Sequence, residues 1–311
     1  MPELPDLVHI VKTLGPGIEG RRITHAVVKN PVVLRVLVPG TFQDLVTGTI
    51  VSGLVRHGPF LKFSLKADLD SESKRNGEAV SRKSTEGGLD LDLVMHLMLA
   101  GRLRLAPLGS GSSGSSTSLP ATAFSLELDE SLSLHYGDEK SMGKVYLCTA
   151  GQFDSIPGYS TQGVDVTKPE FTFETFSSLI AKKRCQARVF IMDQSSLSAI
   201  GNAYADEILF EARIHPKAPC YSLGPDRRRA LYDAVRSVIA WGIDEVEKAG
   251  LPLEDKARAH MRVRGRAGEN CPRCGQTIRR TGVLGFDSFF CPSCQPDLTG
   301  RGLDWTKLPR K

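Results

Sequence analysis

The first six residues of the chain carry groups that could do covalent chemistry. Removal of Met1 would leave Pro2 as an N-terminal secondary amine, with the carboxylate of Glu3 beside it. An α-amino group titrates near about pH 8, so a fraction is unprotonated and nucleophilic at neutral pH. An amine that attacks a sugar aldehyde carbon forms a covalent imine, which divides a difficult reaction into easier steps. Early prolines are also typical of a helix start, so these residues alone leave both interpretations open.

Four cysteines near the end of the chain predict a metal site. They form two C-x2-C pairs with sixteen residues between the pairs: Cys271, Cys274, Cys291 and Cys294. Two such pairs supply four thiolates to one Zn²⁺ ion and leave no coordination position open. We therefore predict a structural zinc ion whose binding energy folds this segment. A hairpin is expected at 278–290, with Arg279 and Arg280 placed to meet phosphate or a groove edge.

Composition limits the class of protein. A chain of 311 residues is long enough for two domains with their own cores. No apolar run approaches the length of about 18 residues that crosses a bilayer, and Glu3 and Asp6 interrupt any signal-peptide pattern. The remaining cysteines, Cys148, Cys185 and Cys220, are scattered and odd in number, which favours a reducing compartment. We expect a cytoplasmic, nucleoid-associated protein with no membrane partner.

The positive charge is concentrated in one stretch. The net charge is +5, but between Lys256 and Arg280 eight Lys and Arg residues face a single acid, Glu269. A basic stretch beside a metal module predicts a phosphate backbone as partner. A solvated charged surface is the alternative interpretation.

Hydrophobic periodicity predicts a helix followed by a β domain. Leu7, Ile10 and Leu14 share one face of a helix over 5–14, and Gly15-Pro16-Gly17 is expected to end it. From about residue 22 to residue 150, short β-branched runs alternate with turn residues, which is typical of a β-sandwich or barrel.

Helical patterns dominate after residue 169. Within them, 197–200 and the segment from Ala203 are expected to be helices joined by a Gly201-Asn202 turn. Backbone N–H groups in such a turn, with the following helix N-terminus, can bind an anion such as DNA phosphate. Plain helix packing is the alternative.

In their order along the chain, these motifs resemble the formamidopyrimidine-DNA glycosylase/endonuclease VIII family of base-excision-repair enzymes. The resemblance covers almost the whole length. It rests on PELPD at 2–6, HL at 96–97, GR at 101–102, MDQ at 192–194, GNAYADEILF at 201–210, IHP at 214–216, GR at 265–266 and the four-cysteine finger that closes in Gln295.

The resemblance implies an α+β multidomain fold with an N-terminal helix plus β-sandwich, a helix–two-turn–helix domain and a C-terminal four-cysteine zinc finger. The expected limits are 1–150 for the catalytic helix and β-sandwich (with insertions 67–90 and 109–118), 151–169 for a linker, 170–260 for the helix–two-turn–helix DNA-binding domain, 261–296 for the zinc finger and 297–311 for a tail. The implied partner is double-stranded DNA with a damaged base or abasic site, bound by a monomer in the cleft between the domains.

The resemblance also implies roles for individual residues. Pro2 would be the nucleophile at C1′ of the damaged nucleotide, and Glu3 the acid/base that aids opening of the sugar ring. The target nucleotide would be flipped out of the duplex to reach Pro2. The expected DNA-binding residues are His96, Lys140, Lys183, Arg188, Gly201, Asn202, Arg279 and Arg280.

Several positions depart from the family pattern. Pro59 occupies the place of a usual lysine, and Phe286 the place of a usual finger arginine. Leu99 replaces a usual methionine, and Ser141-Met142 replaces a usual Arg-Phe pair. We therefore expect altered lesion specificity or weakened elimination.

Two further features bear on that expectation. Lys62 lies three residues after Pro59, which puts it on the opposite face of the strand. The segment before Gly265 is short, which favours endonuclease VIII-like specificity, and Phe286 could serve as an apolar wedge.

Three functions are compatible with these features. The first is a bifunctional DNA glycosylase/AP lyase of base excision repair. The second is a damaged- or abasic-DNA-binding protein of the same fold that lacks strand cleavage, motivated by the missing lysine and arginine. The third is a zinc-ribbon RNA- or ribosome-associated module, against which the N-terminal motif argues.

Overall fold

The computed structural model describes residues 1–67, 89–108, 119, 121–129 and 131–297. The predicted insertions 67–90 and 109–118, and the tail 297–311, fall almost wholly outside these residues. The chain divides into two compact units, one formed by Met1–Thr161 with Ala249–Lys256 and the other by Gln162–Lys248 with Ala257–Lys311. Among the described residues, none of the helices combines the length and hydrophobicity that crossing a membrane requires.

In the part of the first unit that the structure describes, two sheets and two α-helices are present. Its elements are α1 (Leu4–Ile18), β1 (Ile23–Val28), β2 (Leu34–Val36), α2 (Phe42–Val46), β3 (Ile50–His57), β4 (Phe60–Lys66), β5 (Leu91–His96), β6 (Gly101–Pro107), β7 (Thr122–Leu128), β8 (Leu132–Asp138) and β9 (Lys144–Thr149). One sheet has the strand order β1-β7-β8-β6 and the other β2-β9-β5-β4-β3. The predicted N-terminal helix with a two-sheet β domain is confirmed.

Helix α1 holds the amino end of the chain. The backbone N–H of Glu3 donates to Asp6 Oδ2 at 2.8 Å, which satisfies one of the donors at the helix start. The buried face consists of Leu4, Leu7, Ile10, Leu14 and Ile18, all at most 4% exposed. Because this face is fixed in the core, the two residues before the helix are fixed as well.

The prediction that α1 ends at Gly15-Pro16-Gly17 is wrong, because the helix continues to Ile18. Proline 16 has no N–H, so one helical hydrogen bond is missing in the last turn. Ile18 is completely buried, and Glu19 N closes the turn by donating to Gly15 O at 2.9 Å. Burial of the last turn therefore outweighs the local helix-breaking preference.

The described residues of the second unit form four α-helices and one hairpin. They are α3 (Phe173–Ala181), α4 (Ala187–Ile191), α5 (Asn202–Glu211), α6 (Pro225–Ala249), β10 (Arg279–Val283) and β11 (Phe286–Phe290). Strands β10 and β11 pair antiparallel, which confirms the hairpin predicted between the cysteine pairs. Leu284 and Gly285 close it with positive φ angles of 46° and 77°, as a two-residue hairpin turn requires.

The segment 197–200 is not helical, in contrast to the prediction. Leu197 forms a parallel bridge with Val164, and Ala199 has a φ of 61°. The Gln194 side chain holds this turn, because its Oε1 accepts from Ala199 N at 2.7 Å and its Nε2 donates to Ile200 O at 2.8 Å. The local contacts of Gln194 and the bridge to the distant Val164 thus set the approach to α5.

Candidate active site and zinc centre

The amino end of the chain is buried. Pro2 is buried, and Glu3 and Asp6 are each only 5% exposed. The pKa of the N-terminal amine is lowered from 8.0 to about 5, chiefly by burial and then by Lys256, which also hydrogen-bonds to it; Arg102 acts in the same direction, and Glu3 opposes them. This amine belongs to Met1, and the Pro2 nitrogen lies one residue inward in the same environment. An amine held here is unprotonated at neutral pH.

His96 lies beside this amine at the end of β5. Its Nδ1 accepts from Met98 N at 3.1 Å, so the neutral ring carries its proton on Nε2 and can donate from that atom. Burial lowers the pKa of His96, and the nearby N-terminal amine lowers it further. The structure therefore brings His96, Glu3 and the amino end together, with the imidazole neutral at pH 7.

Lys140 lies on a loop that Asp138 organises. The Asp138 carboxylate is 1% exposed and accepts from Gly143 N at 2.6 Å and from Lys140 N at 3.1 Å. A Cβ on Gly143 would lie 1.8 Å from the hydroxyl of the buried Tyr136, so the loop requires glycine there. The Lys140 side chain is exposed, and with Leu99 and Arg102 it lines a surface groove of the first unit.

In the second unit, Lys183 is half-buried and pairs with Asp193, with 2.7 Å between Nζ and Oδ2. That hydrogen bond raises the pKa of Lys183, so the side chain stays charged. Gly201 is the buried N-cap of α5, and Asn202 is the first helical residue. A positive group and a helix N-terminus are thus present in this unit, as a phosphate site requires.

Arg188 is not at the surface, although the sequence analysis placed it among the DNA contacts. Its side chain is 1% exposed. The guanidinium donates to Asp206 Oδ1 at 3.0 Å, to Asn202 Oδ1 at 2.8 Å and to the backbone oxygen of Asp287 at 3.0 Å. We therefore assign it a positioning role: it ties the start of α5 to strand β11.

Two buried carboxylates next to Arg188 escaped the sequence analysis. Asp206 and Glu207 on α5 are both completely buried. Asp206 accepts from Arg188, and also from Arg264 Nη1 at 2.8 Å. Glu207 Oε1 accepts from three consecutive backbone N–H groups: Arg262, Val263 and Arg264. Their helical position gave no sign of burial, because the partners come from Arg188 and from residues 262–264, which are distant along the chain.

The four cysteines meet the geometric requirement for zinc. Their Sγ atoms all lie within 4.8 Å of one another. The Cys271–Cys294 and Cys274–Cys291 pairs are 3.9 Å and 3.5 Å apart. Four sulfurs at about 2.3 Å from a tetrahedral Zn²⁺ are separated by about 3.8 Å, so the donor set fits this ion and leaves no open position.

The finger hairpin presents two kinds of side chain at its surface. Arg279 and Arg280 on β10 are exposed, and Arg280 Nη1 lies 3.3 Å from Asp287 Oδ2. At the turn, Leu284 is 74% exposed and Phe286 is 53% exposed. The tip is therefore apolar, with cations further along the same strand pair.

Comparison with known proteins gives a consistent result along the whole chain. Three family models match: the formamidopyrimidine-DNA glycosylase N-terminal domain at 1–145, its H2TH domain at 162–252, and the zinc finger found in FPG and IleRS at 268–296. The formamidopyrimidine-DNA glycosylase of Moorella thermoacetica is 31% identical over 90% of this chain and 94% of its own length. That of Alkalilimnicola ehrlichii is 30% identical over 95% of this chain and 100% of its own length.

The chain belongs to the formamidopyrimidine-DNA glycosylase family. Its members are DNA N-glycosylases with AP-lyase activity. Among solved structures, the Fpg protein of Thermus thermophilus is 28% identical, with a TM-score of 0.74 over 94% of this chain and 98% of that chain. Lactococcus lactis Fpg bound to abasic-site DNA is 23% identical, and its TM-score of 0.77 over 95% of this chain and 100% of that chain supports the fold. The predicted resemblance, fold class and structural zinc are confirmed.

Within this Fpg family member, the position of the usual strand lysine is neutral. Gly58 and Pro59 form the turn between β3 and β4, and Pro59 is buried. The next residue, Phe60, pairs with His96 across β4 and β5, and the two rings lie 5.1 Å apart. Pro59 therefore lies next to the His96 end of the sheet and supplies no charge there.

Lys62 does not compensate for Pro59. Its Nζ lies 3.2 Å from Ser64 Oγ and 3.5 Å from Oδ1 of the buried Asp92. It also lies 5.9 Å from the centre of the Phe153 ring. The ammonium is thus held next to Asp92, on the same face of β4 as Phe60 but four residues along β5 from His96.

Replacing Arg188 by methionine tests the positioning role. We expect Arg188→Met to destabilise the second unit by about 3 kcal/mol, since breaking a buried ion pair leaves a carboxylate without one partner. Thermal unfolding measures this, and Arg184→Met, at an exposed arginine four residues before Arg188, is the control.

The salt dependence of DNA binding by Arg188→Met shows whether Arg188 has a positioning role or contacts a phosphate. A lost phosphate contact lowers the slope of log affinity against log salt by about one, whereas a lost positioning contact leaves the slope unchanged. A reduced slope with normal stability would contradict our assignment.

Zinc removal should unfold the finger. We expect a single zinc ion per chain and loss of duplex DNA binding on chelation, because the binding energy of about 10–16 kcal/mol is what folds such a site. Metal analysis and affinity measurements check this, with Cys274→Ser as the disruptive variant and Cys185→Ser, outside the cluster, as the control. Zinc-free protein with full affinity would show that the finger does not require the metal.

Proposed function

We propose that the protein is a bifunctional DNA glycosylase/AP lyase that excises oxidised bases from double-stranded DNA. The observation that supports this best is the environment of the amino end, where burial and cations keep an amine unprotonated. Glu3 is buried beside it, and His96 is neutral and carries a donor. Removal of Met1 turns this environment into one for the secondary amine of Pro2.

The proposed reaction begins with the Pro2 nitrogen. It attacks C1′ of the damaged nucleotide, and the electron pair of the glycosidic bond leaves with the base. The Pro2 proton is then lost and the C1′–O4′ bond opens, which gives an iminium ion while Glu3 protonates O4′. A proton removed from C2′ then allows the 3′ phosphate to leave by elimination.

The proposed partner is duplex DNA with a damaged base or abasic site, held through its phosphates. Relatives of this fold from Lactococcus lactis have been solved with DNA that contains an abasic site or an oxidised pyrimidine. In this chain, the groups proposed to hold the backbone are His96, Lys140, Lys183, Gly201, Asn202, Arg279 and Arg280. A monomer that works in the nucleoid-associated cytoplasm, with the predicted domain limits, belongs to the same proposal.

Altered specificity or weakened elimination is the finer part of the proposal. Pro59 supplies no charge near His96, and Phe286 presents an apolar ring where the family pattern has arginine. An exposed phenylalanine at a hairpin tip, with Arg280 on the partner strand, is suited to stacking on bases more than to holding a phosphate. The same two positions favour the alternative function, which is binding of damaged or abasic DNA without strand cleavage.

Borohydride trapping separates the two functions. With abasic-site duplex DNA, we expect wild-type protein to give a covalent adduct and Pro2→Gly to give at most about 1% of it, because glycine offers a differently placed primary amine. Mass spectrometry must show that Met1 is removed in both proteins. Tight binding by wild-type protein with no adduct would establish the binding function instead.

Placing an arginine at position 286 tests whether Phe286 lowers the rate of strand cleavage. We expect Phe286→Arg to raise strand cleavage at an abasic site roughly tenfold, the effect of one charge-assisted hydrogen bond of about 1.5 kcal/mol. Leu284→Arg, which places the same charge two residues earlier on the hairpin, is the matched control. Equal rates for the two variants would show that position 286 has no special relation to the phosphate.

A further inference from the structure

We propose that Lys256 is the substrate-facing cation of this active site and supplies the charge that the chain lacks at Pro59. This rests on the proposed function of Pro2 as nucleophile. Lys256 is the first residue of the basic stretch for which the sequence analysis predicted a phosphate backbone as partner. Its position in the structure, next to the amino end, suits it to a role in the active site.

The segment that carries Lys256 packs with the first unit. After α6 the chain leaves the second unit, and Ala249–Lys256 belongs to the unit that contains the amino end. Arg104 holds this segment through Glu254, whose Oε1 lies 2.6 Å from Nη2 and accepts from Nε at 2.8 Å. His9 Nε2 lies 3.2 Å from the backbone oxygen of Leu251, which ties the same segment to α1. Two anchors thus fix the approach of Lys256.

Lys256 faces the position that the substrate must occupy. Its side chain makes a hydrogen bond with the amine of Met1. That amine nitrogen is three bonds from the Pro2 nitrogen, a separation of about 3 Å. When Met1 is removed, groups attached to the Pro2 nitrogen take over this space, and the first such group is C1′ of the damaged sugar. A side chain that contacts the Met1 amine is therefore next to the sugar in the covalent adduct.

A cation at this position has two effects. It disfavours a second positive charge, so it lowers the pKa of the Pro2 amine in addition to the effect of burial. It also places a donor beside the sugar, where negative charge develops on O4′ as the C1′–O4′ bond opens. Three other charged or titratable groups surround the amine. Glu3 raises the pKa of the amine, Arg102 lowers it as Lys256 does, and His96 is neutral.

Two other lysines of the first unit are committed elsewhere. Lys62 is bound to Ser64 and to Asp92, which lies four residues along β5 from His96. Lys140 is exposed on the Asp138 loop. Lys256 is the lysine for which a hydrogen bond to the amino end is found in the described part of the chain.

The experiment follows adduct formation against pH in the full-length zinc-loaded protein. The probe is a duplex oligonucleotide with one abasic site, trapped with borohydride under single-turnover conditions. In Lys256→Met we expect the acid limb of the pH profile to move up by about one pH unit, so that trapping well below the pKa of the amine falls about tenfold and recovers in alkaline solution. Lys256→Arg keeps the charge and should keep the wild-type profile.

Controls separate charge from packing. Lys66→Met removes an exposed lysine at the end of β4 and should leave the profile unchanged. Lys256→Gln provides a second neutral variant should Lys256→Met fail to fold, as judged by melting temperature and zinc content. Both neutral variants should show the same shift.

The outcomes are distinguishable. A wild-type profile in the neutral variants overturns the proposal, and so does an Lys256→Arg profile that matches Lys256→Met, since the charge would then be irrelevant. Absence of any adduct from the wild-type protein defeats the proposed function, and the role of Lys256 fails with it.

Discussion

Burial of the amino end is the constraint on which the rest of this structure depends. An amine in water is mostly protonated at neutral pH, whereas an amine out of water and next to cations is not. Helix α1 provides that burial, because its apolar face from Leu4 to Ile18 is fixed in the core of the first unit. The helix continues through Pro16 for the same reason, and Pro2 and Glu3 are held at its start.

Burial is also decisive in the second unit, where the buried groups are two carboxylates and each has hydrogen-bonding partners. Asp206 and Glu207 are completely buried, and each is paired with arginine and with backbone N–H groups from the finger segment. A buried carboxylate without such partners would cost several kcal/mol, roughly the effect of breaking a buried pair. These contacts join α5, which begins at the Gly201-Asn202 turn, to the hairpin that carries Arg279 and Arg280. Zinc binding by the cysteines and the buried ion pairs with α5 therefore both stabilise the finger hairpin.

The departures from the family pattern change where positive charges lie in this fold. Pro59 removes a cation from the β3–β4 turn, and Phe286 replaces one at the finger tip by an exposed ring. Lys62 is paired with Asp92 further along the sheet, while the chain returns at 249–256 to the first unit and brings Lys256 to the amine. In our proposal, the positive charge near Pro2 therefore comes from a different part of the chain.

The sequence by itself determined the family, the β domain, the finger hairpin and the zinc ligands, because these depend on local spacing and on period-two patterns. The tight C-x2-C pairs of Cys271 and Cys291 specify tetrahedral zinc whatever surrounds them. Only the tertiary structure decided that Arg188 is buried, that Ala199 lies in a left-handed turn and that Lys256 meets the amino end. The burial of Arg188 and the position of Lys256 depend on partners that are distant along the chain. The turn at Ala199 depends on the nearby Gln194 side chain and on a bridge to the distant Val164.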